Sequence, residues 1–164
     1  MKFGCVIPAR YGSTRLPGKP LADIAGKPMI ERVYDRVSQA TKTTCTIVAT
    51  DDDRVYSAVQ QFGGTVMMTD PNHPTGTDRL AEVASHYTDL DVVINVQGDE
   101  PMIEPNLIDD LARLFEADPN LQMATVATPL LEEEYDEPSA VKVILNNRND
   151  AMYFSRSLIP YPRH

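Results

Sequence analysis

Short runs of apolar and β-branched residues alternate along this chain with segments whose apolar residues recur at helical spacing. That alternation limits the fold more than any other feature. Residues 3–7, 44–50, 65–69, 91–96, 122–128 and 140–145 have the length and composition of strands, and 151–154 is short and β-like. Between them, Met29, Ile30, Val33, Val37 and Ala40 predict a helix over 28–41 with Pro28 at its start. Val55, Ala58, Val59 and Phe62 predict a second helix, capped by Asp51 or Asp52 and ended by Gly63-Gly64. A third carries Leu80, Val83, Ala84 and Tyr87 inward after a cap at Thr77 or Asp78. A fourth, over 105–117, uses Leu107, Leu111, Leu114 and Phe115. Strands alternating with helices imply βαβ units, hence an α/β fold of mostly parallel sheet with helices on both faces. Residues 91–96 read as the most deeply buried strand. At 164 residues, one such domain over 1–164 can bury a full core.

In a sheet of this kind the ligand sits beyond the carboxyl ends of the strands. Three loops would meet there: the one after residues 3–7, Thr50-Asp51-Asp52, and Gln97-Gly98-Asp99. The first contains Arg10, Gly12, Ser13, Arg15, Gly18 and Lys19. Glycine lets backbone approach a ligand, and N–H groups among arginine and lysine make a cradle for an anion such as a polyphosphate. The alternative is a solvated basic loop. Charge distribution favours the cradle: residues 1–36 hold seven cations against three acids, in a chain of net charge −9. No extended basic face suits nucleic acid, so the anion is small.

The loop is neither a G-x-G-x-x-G fingerprint nor a Walker A loop, because Gly18-Lys19 runs into Pro20 rather than serine or threonine. Asp99, at a strand end, is either a ligand for a hard divalent cation or a turn and capping residue. Arg79 and Arg156 either reach the crevice or pair with nearby carboxylates. The three histidines have no metal-ligand spacing, which argues against zinc. Cys5 and Cys45 read as small hydrophobes rather than a disulfide, pointing to the cytoplasm. No apolar run has transmembrane length, and the start of the chain has no signal-peptide pattern.

The segments I-P-A-R-Y-G-S-T-R-L-P-G-K-P-L, A-T-D-D, H-P-T-G-T-D-R, N-V-Q-G-D-E-P, A-V-K-V and Y-F-S-R-S-L-I-P, in this order, resemble those of the 3-deoxy-manno-octulosonate cytidylyltransferases. The resemblance spans residues 2–163. It implies a Rossmann-like nucleotidyltransferase fold of the nucleotide-diphospho-sugar transferase type. It also implies a cytoplasmic, Mg²⁺-dependent enzyme that activates 3-deoxy-manno-octulosonate (KDO) with CTP for lipopolysaccharide synthesis, releasing pyrophosphate. On matching positions, Arg10, Ser13 and Lys19 would meet the CTP phosphates with Arg15 as helper. Ala9, Thr75, Gly76 and Arg79 would surround the cytidine. Gln97 would face the sugar acid, Asp99 would bind the metal, and Arg156 would lie on the KDO side. Thr75 stands where the family often has serine. Family members continue past residue 164, so the chain is expected to be the nucleotide-binding part of a longer homodimeric enzyme. The remainder would supply a second metal-binding aspartate and more of the sugar pocket. The alternatives are a cytidylyltransferase for another acidic sugar, such as a sialic acid, and a non-catalytic CTP-binding fragment. No nucleic-acid partner and no membrane insertion are expected.

Overall fold

Four strands, β1 (Phe3–Pro8), β4 (Thr43–Thr50), β5 (Thr65–Met68) and β6 (Val92–Asn95), form one sheet in the order β5-β4-β1-β6. Every neighbouring pair in it is parallel. The computed structural model describes residues 1–12, 16–160 and 163, which divide into two units, 1–124 and 125–164. The first unit also contains the two-residue antiparallel pair β2 (Asp23–Ile24) and β3 (Lys27–Pro28). Its helices are α1 (Met29–Val37), α2 (Asp53–Gln61), α3 (Gly76–His86) and α4 (Pro105–Ala117). This is the α/β architecture that the alternating pattern requires.

The period-two alternation of β1 builds both layers. Phe3, Cys5, Ile7 and Ala9 pack with Ile30, Val33 and Val37 of α1, Val55 and Val59 of α2, and Ile108 and Ala112 of α4. Val6 points the other way, joining Ile47 and Ala49 of β4 against Leu80 and Val83 of α3. Each of the larger of these side chains, the Val, Leu, Ile and Phe residues, contributes roughly 1.5–3 kcal/mol when fully buried. Cys5 behaves as one of these hydrophobes: burial and the neighbouring Cys45 push its thiol up to about 12, and both thiols are free.

Several local expectations change. β6 is at the sheet's edge and only partly covered, whereas β1 and the second half of β4 are the buried strands. Sheet position decides burial here, because hydrophobic content is similar in all three. α4 has the expected span, but its inward face is turned: Ile108, Asp109 and Ala112 are buried, Leu111 and Phe115 pack partly buried against the core as expected, and Leu107 and Leu114 are exposed. Asp109 explains the rotation. Its carboxylate accepts the Thr41 and Lys42 N–H groups at 2.9 Å each and the Thr41 hydroxyl at 2.8 Å. Burial opposes its charge, but these bonds hold the carboxyl below the usual range.

α1 also stops at Val37, short of residue 41, where the chain turns through Gln39 and Ala40 to present Thr41 to Asp109. The caps are Asp52 for α2, which accepts the Arg54 N–H at 2.9 Å, and Thr75 for α3. Thr77 and Asp78 do not cap α3. Asp78 instead returns its carboxylate to the Thr75 N–H at 3.0 Å, completing a capping box. Residues 122–128 form no strand. They find no ladder partner among the described residues, and Met123 is 86% exposed, so β-branched composition alone does not suffice.

In the second unit β7 (Lys142–Leu145) and β8 (Ala151–Ser155) form their own antiparallel hairpin. Lys142 is buried, its ammonium donating to the Glu137 carbonyl at 2.6 Å and the Arg156 carbonyl at 3.3 Å. Among the described residues no helix is long and apolar enough to cross a membrane.

Candidate functional site

From β1 the chain adds strands on one side, β4 then β5, and later places β6 on the other. A crevice opens at such a reversal, beyond the carboxyl ends of the two strands that flank it. A cavity of about 350 Å³ lies there. The loop after β1 lines it with Ala9, Arg10 and, further on, Lys19. The segment entering α3 contributes Thr75 and Gly76, and the end of β6 contributes Gln97, Gly98 and Asp99.

The loop after β1 is held at its root. The Ala9 N–H donates to the Ala49 carbonyl at 2.9 Å, extending the ladder by one residue. Gly18, at φ +72°, closes the loop by donating its N–H to the Tyr11 carbonyl at 2.8 Å. A Cβ at Gly18 would meet the Tyr11 ring at 3.0 Å in a backbone conformation that already disfavours L side chains. That ring lies under the Arg54 guanidinium, 3.3 Å from the centroid, and Arg54 is held by Asp52 at 2.6 Å. Asp52 thus caps α2 and steadies the loop without reaching the cavity wall.

The 70–76 segment is tied from both sides. Arg10 donates to the His73 carbonyl. Glu82 of α3 accepts the Asp70 N–H at 2.9 Å and sits 2.6 Å from His73 Nε2. Those two contacts, the Asp70 N–H first, hold the Glu82 carboxyl below its usual range. At the third loop, a Cβ on Gly98 would lie 2.8 Å from the Pro8 carbonyl oxygen. Only glycine lets the β6 loop pass this close to β1, which is what places Gln97 and Asp99 beside Arg10 and Lys19.

Lys19 Nζ and Asp99 Oδ2 are 2.6 Å apart, on side chains 35% and 47% exposed. Among the described residues Asp99 is the carboxylate on the cavity wall, and no group of three His, Cys, Asp or Glu could hold a metal by itself. This donor set suits a divalent ion that brings most of its shell as phosphate oxygens and water, as Mg²⁺ does with nucleotides.

Arg79 lies behind the wall. It is wholly buried, donating to Asp51 at 2.8 Å and to the Thr69 hydroxyl, while its Nε has no partner. Of its two sequence readings, the structure shows the carboxylate pair, and Asp51 is spent there instead of lining the crevice. Arg156, in the second unit, donates to the Pro138 carbonyl at 2.9 Å. Ser13 and Arg15 lie outside the described residues. Pro8, Pro20 and Pro74 line the cavity too, and nothing in their sequence context marks them for it. Gly98 could have been singled out, because a glycine at a strand end signals close backbone approach.

Comparison with known proteins agrees with this fold. The cytidylyltransferase family model matches residues 4–164. The chain is 55% identical over 159 residues to the 3-deoxy-manno-octulosonate cytidylyltransferase of Escherichia coli, covering 97% of this chain and 64% of the relative. It is 49% identical over 167 residues to the 8-amino-3,8-dideoxy-manno-octulosonate cytidylyltransferase of Shewanella baltica, covering 99% of this chain and 68% of that one. A solved structure of CMP:2-keto-3-deoxy-manno-octonic acid synthetase complexed with CTP superposes with a TM-score of 0.94 at 55% identity. That match covers 99% of this chain and 67% of the other. The chain therefore spans a little under two thirds of the length of the Escherichia coli relative.

Proposed function

The chain belongs to the cytidylyltransferase family, and on that premise we propose that it carries the nucleotide site of an enzyme that joins CMP to KDO. The observation that supports this most is the crevice at the β1 and β6 ends, lined by Arg10, Lys19 and Asp99 together with Thr75 and Gly76. In the reaction the anomeric hydroxyl of KDO, losing its proton, attacks the α-phosphorus of CTP. The bond to the β-phosphate breaks and pyrophosphate leaves. Such transfers depend on positioning and charge neutralisation rather than covalent help from the protein.

Lys19 and Arg10 are assigned to the β- and γ-phosphates, where they offset the charge that builds on leaving pyrophosphate. Ser13 and Arg15 extend that set. Ala9, Thr75 and Gly76 border the cytidine, Gln97 faces the sugar acid, and Arg156 is assigned to the KDO side. Asp99 would hold Mg²⁺, whose charge offsets that of the phosphates. Arg79 is reassigned from the cytidine wall to a positioning role, since its guanidinium is spent on Asp51 and Thr69. The reading carries with it a cytoplasmic setting, in keeping with the free thiols of Cys5 and Cys45, and a homodimer.

Gly98→Ala tests the geometry. The 2.8 Å approach to the Pro8 carbonyl has to open, shifting Gln97 and Asp99 by a few tenths of an ångström or more. CTP affinity measured with Mg²⁺ is expected to fall several-fold, with a modest loss of melting temperature. Unchanged affinity would mean that the β6 loop does not set the site.

Sugar identity is the finer question, because relatives at 55% and 49% identity carry names with different sugar acids. Pyrophosphate release by the protein, in the full length its cell makes, is the test. Release is expected with CTP and KDO together. Turnover with the 8-amino analogue or a sialic acid, and none with KDO, would replace the sugar. Binding of CTP without turnover of any sugar acid would make the protein a nucleotide-binding module.

A further inference from the structure

We propose that Asp99 selects metal-loaded over metal-free nucleotide by engaging Lys19 whenever no cation sits on the carboxylate. This rests on the reading of Lys19 as a phosphate contact. The two side chains come from loops 80 residues apart, and both belong to the cavity wall. Their 2.6 Å pair leaves that wall locally neutral. Arg10, the other cation lining the cavity among the described residues, already donates to the His73 carbonyl.

A bare triphosphate entering this crevice meets the Asp99 carboxylate and has to take Lys19 from it. A nucleotide that arrives with a divalent ion meets a different site. The ion replaces the lysine as counter-charge for Asp99, and the ammonium is released to the phosphates in the same event. Binding of cation and of nucleotide are therefore favourable to one another, each freeing the partner that the other needs. Both side chains are partly exposed, so the pair is weak. It acts as a threshold of a few-fold in affinity rather than as a lock, and it yields readily when the right ligand arrives.

The test separates this from the reading beneath it, because the two substitutions act in opposite directions. Asp99→Asn keeps the shape of a half-exposed side chain and removes its charge. In calorimetry with EDTA it should bind CTP about three- to tenfold more tightly than the wild type. Adding Mg²⁺ should no longer improve its affinity. Lys19→Gln should bind Mn²⁺ alone about two- to fivefold more tightly, read from the electron paramagnetic resonance of the free ion.

If Asp99→Asn binds metal-free CTP no more tightly than the wild type, the selection is overturned. The phosphate reading still stands if Lys19→Gln weakens CTP in the presence of Mg²⁺. If Lys19→Gln leaves CTP binding unchanged, both fall together. Unaltered Mn²⁺ affinity in Lys19→Gln also overturns the selection, because the pair then costs the cation nothing.

Discussion

Asp51→Ala is expected to lower the melting temperature by roughly 6–20 °C, taking about 3–5 kcal/mol for an orphaned buried charge and about 2–4 °C per kcal/mol for a domain of this size. The reason is Arg79, which has no solvent access and whose Nε is already without a partner. Asp51 is its counter-ion, at 2.8 Å, and the Thr69 hydroxyl is its other hydrogen-bond acceptor. Removing the carboxylate leaves a guanidinium in the interior with nothing to offset its desolvation. Asp51 and Thr69 each lie just past the end of one of two adjacent strands, β4 and β5, and Arg79 rises from α3 to join them. The loss should therefore be felt at the N-terminus of α3, where Thr75 and Gly76 line the crevice.

Asp51→Asn retains an acceptor and should lose less. Replacing both partners with apolar residues, Asp51→Leu with Arg79→Met, should recover much of the deficit, as buried ion pairs do when both charges go. Thermal unfolding followed by circular dichroism checks all three. An Asp51→Ala protein that melts with the wild type would mean water reaches Arg79, and the positioning role would be withdrawn.

The architecture was legible because each strand and helix announces its own period. Helix α4 was bounded to the residue by Pro105 and by the end of its apolar repeat. Tertiary choices were less legible. Nothing local to Asp109 says that it will turn inward to collect the Thr41 and Lys42 N–H groups, and that contact is what rotates α4 away from Leu107 and Leu114. Residues 122–128 have strand composition, but a strand also needs a neighbour, which composition does not supply.

The site divides in the same way. Arg10, Lys19 and Asp99 stood out because charges and glycines at strand ends have few other uses, and the sheet topology brings them together. Arg79 did not declare itself. An arginine near a Thr-Gly-Thr-Asp turn reads equally as a ligand contact or as an ion pair, and only the position of Asp51, in a different loop, decides between them. The resemblance to a known family supplied the nucleotide, the sugar and the metal, none of which the spacing of these residues could name.

Every role assigned to the crevice depends on Lys19 holding the triphosphate of CTP there. Calorimetric titration of CTP with Mg²⁺ into the wild type and into Lys19→Ala tests it most directly. A hydrogen bond to a charged group is worth about 1.5–3 kcal/mol, and the exposed pair with Asp99 that Lys19 gives up is worth at most about 1 kcal/mol. Lys19 has an exposed third of its side chain and no role in the core, so the melting temperature should hardly move. CTP should bind the wild type, with an affinity roughly 2- to 150-fold weaker in Lys19→Ala once the lost pair is set against the lost phosphate contact, at unchanged stability. Equal affinity in the two proteins would contradict it, leaving Lys19 a surface lysine paired with Asp99.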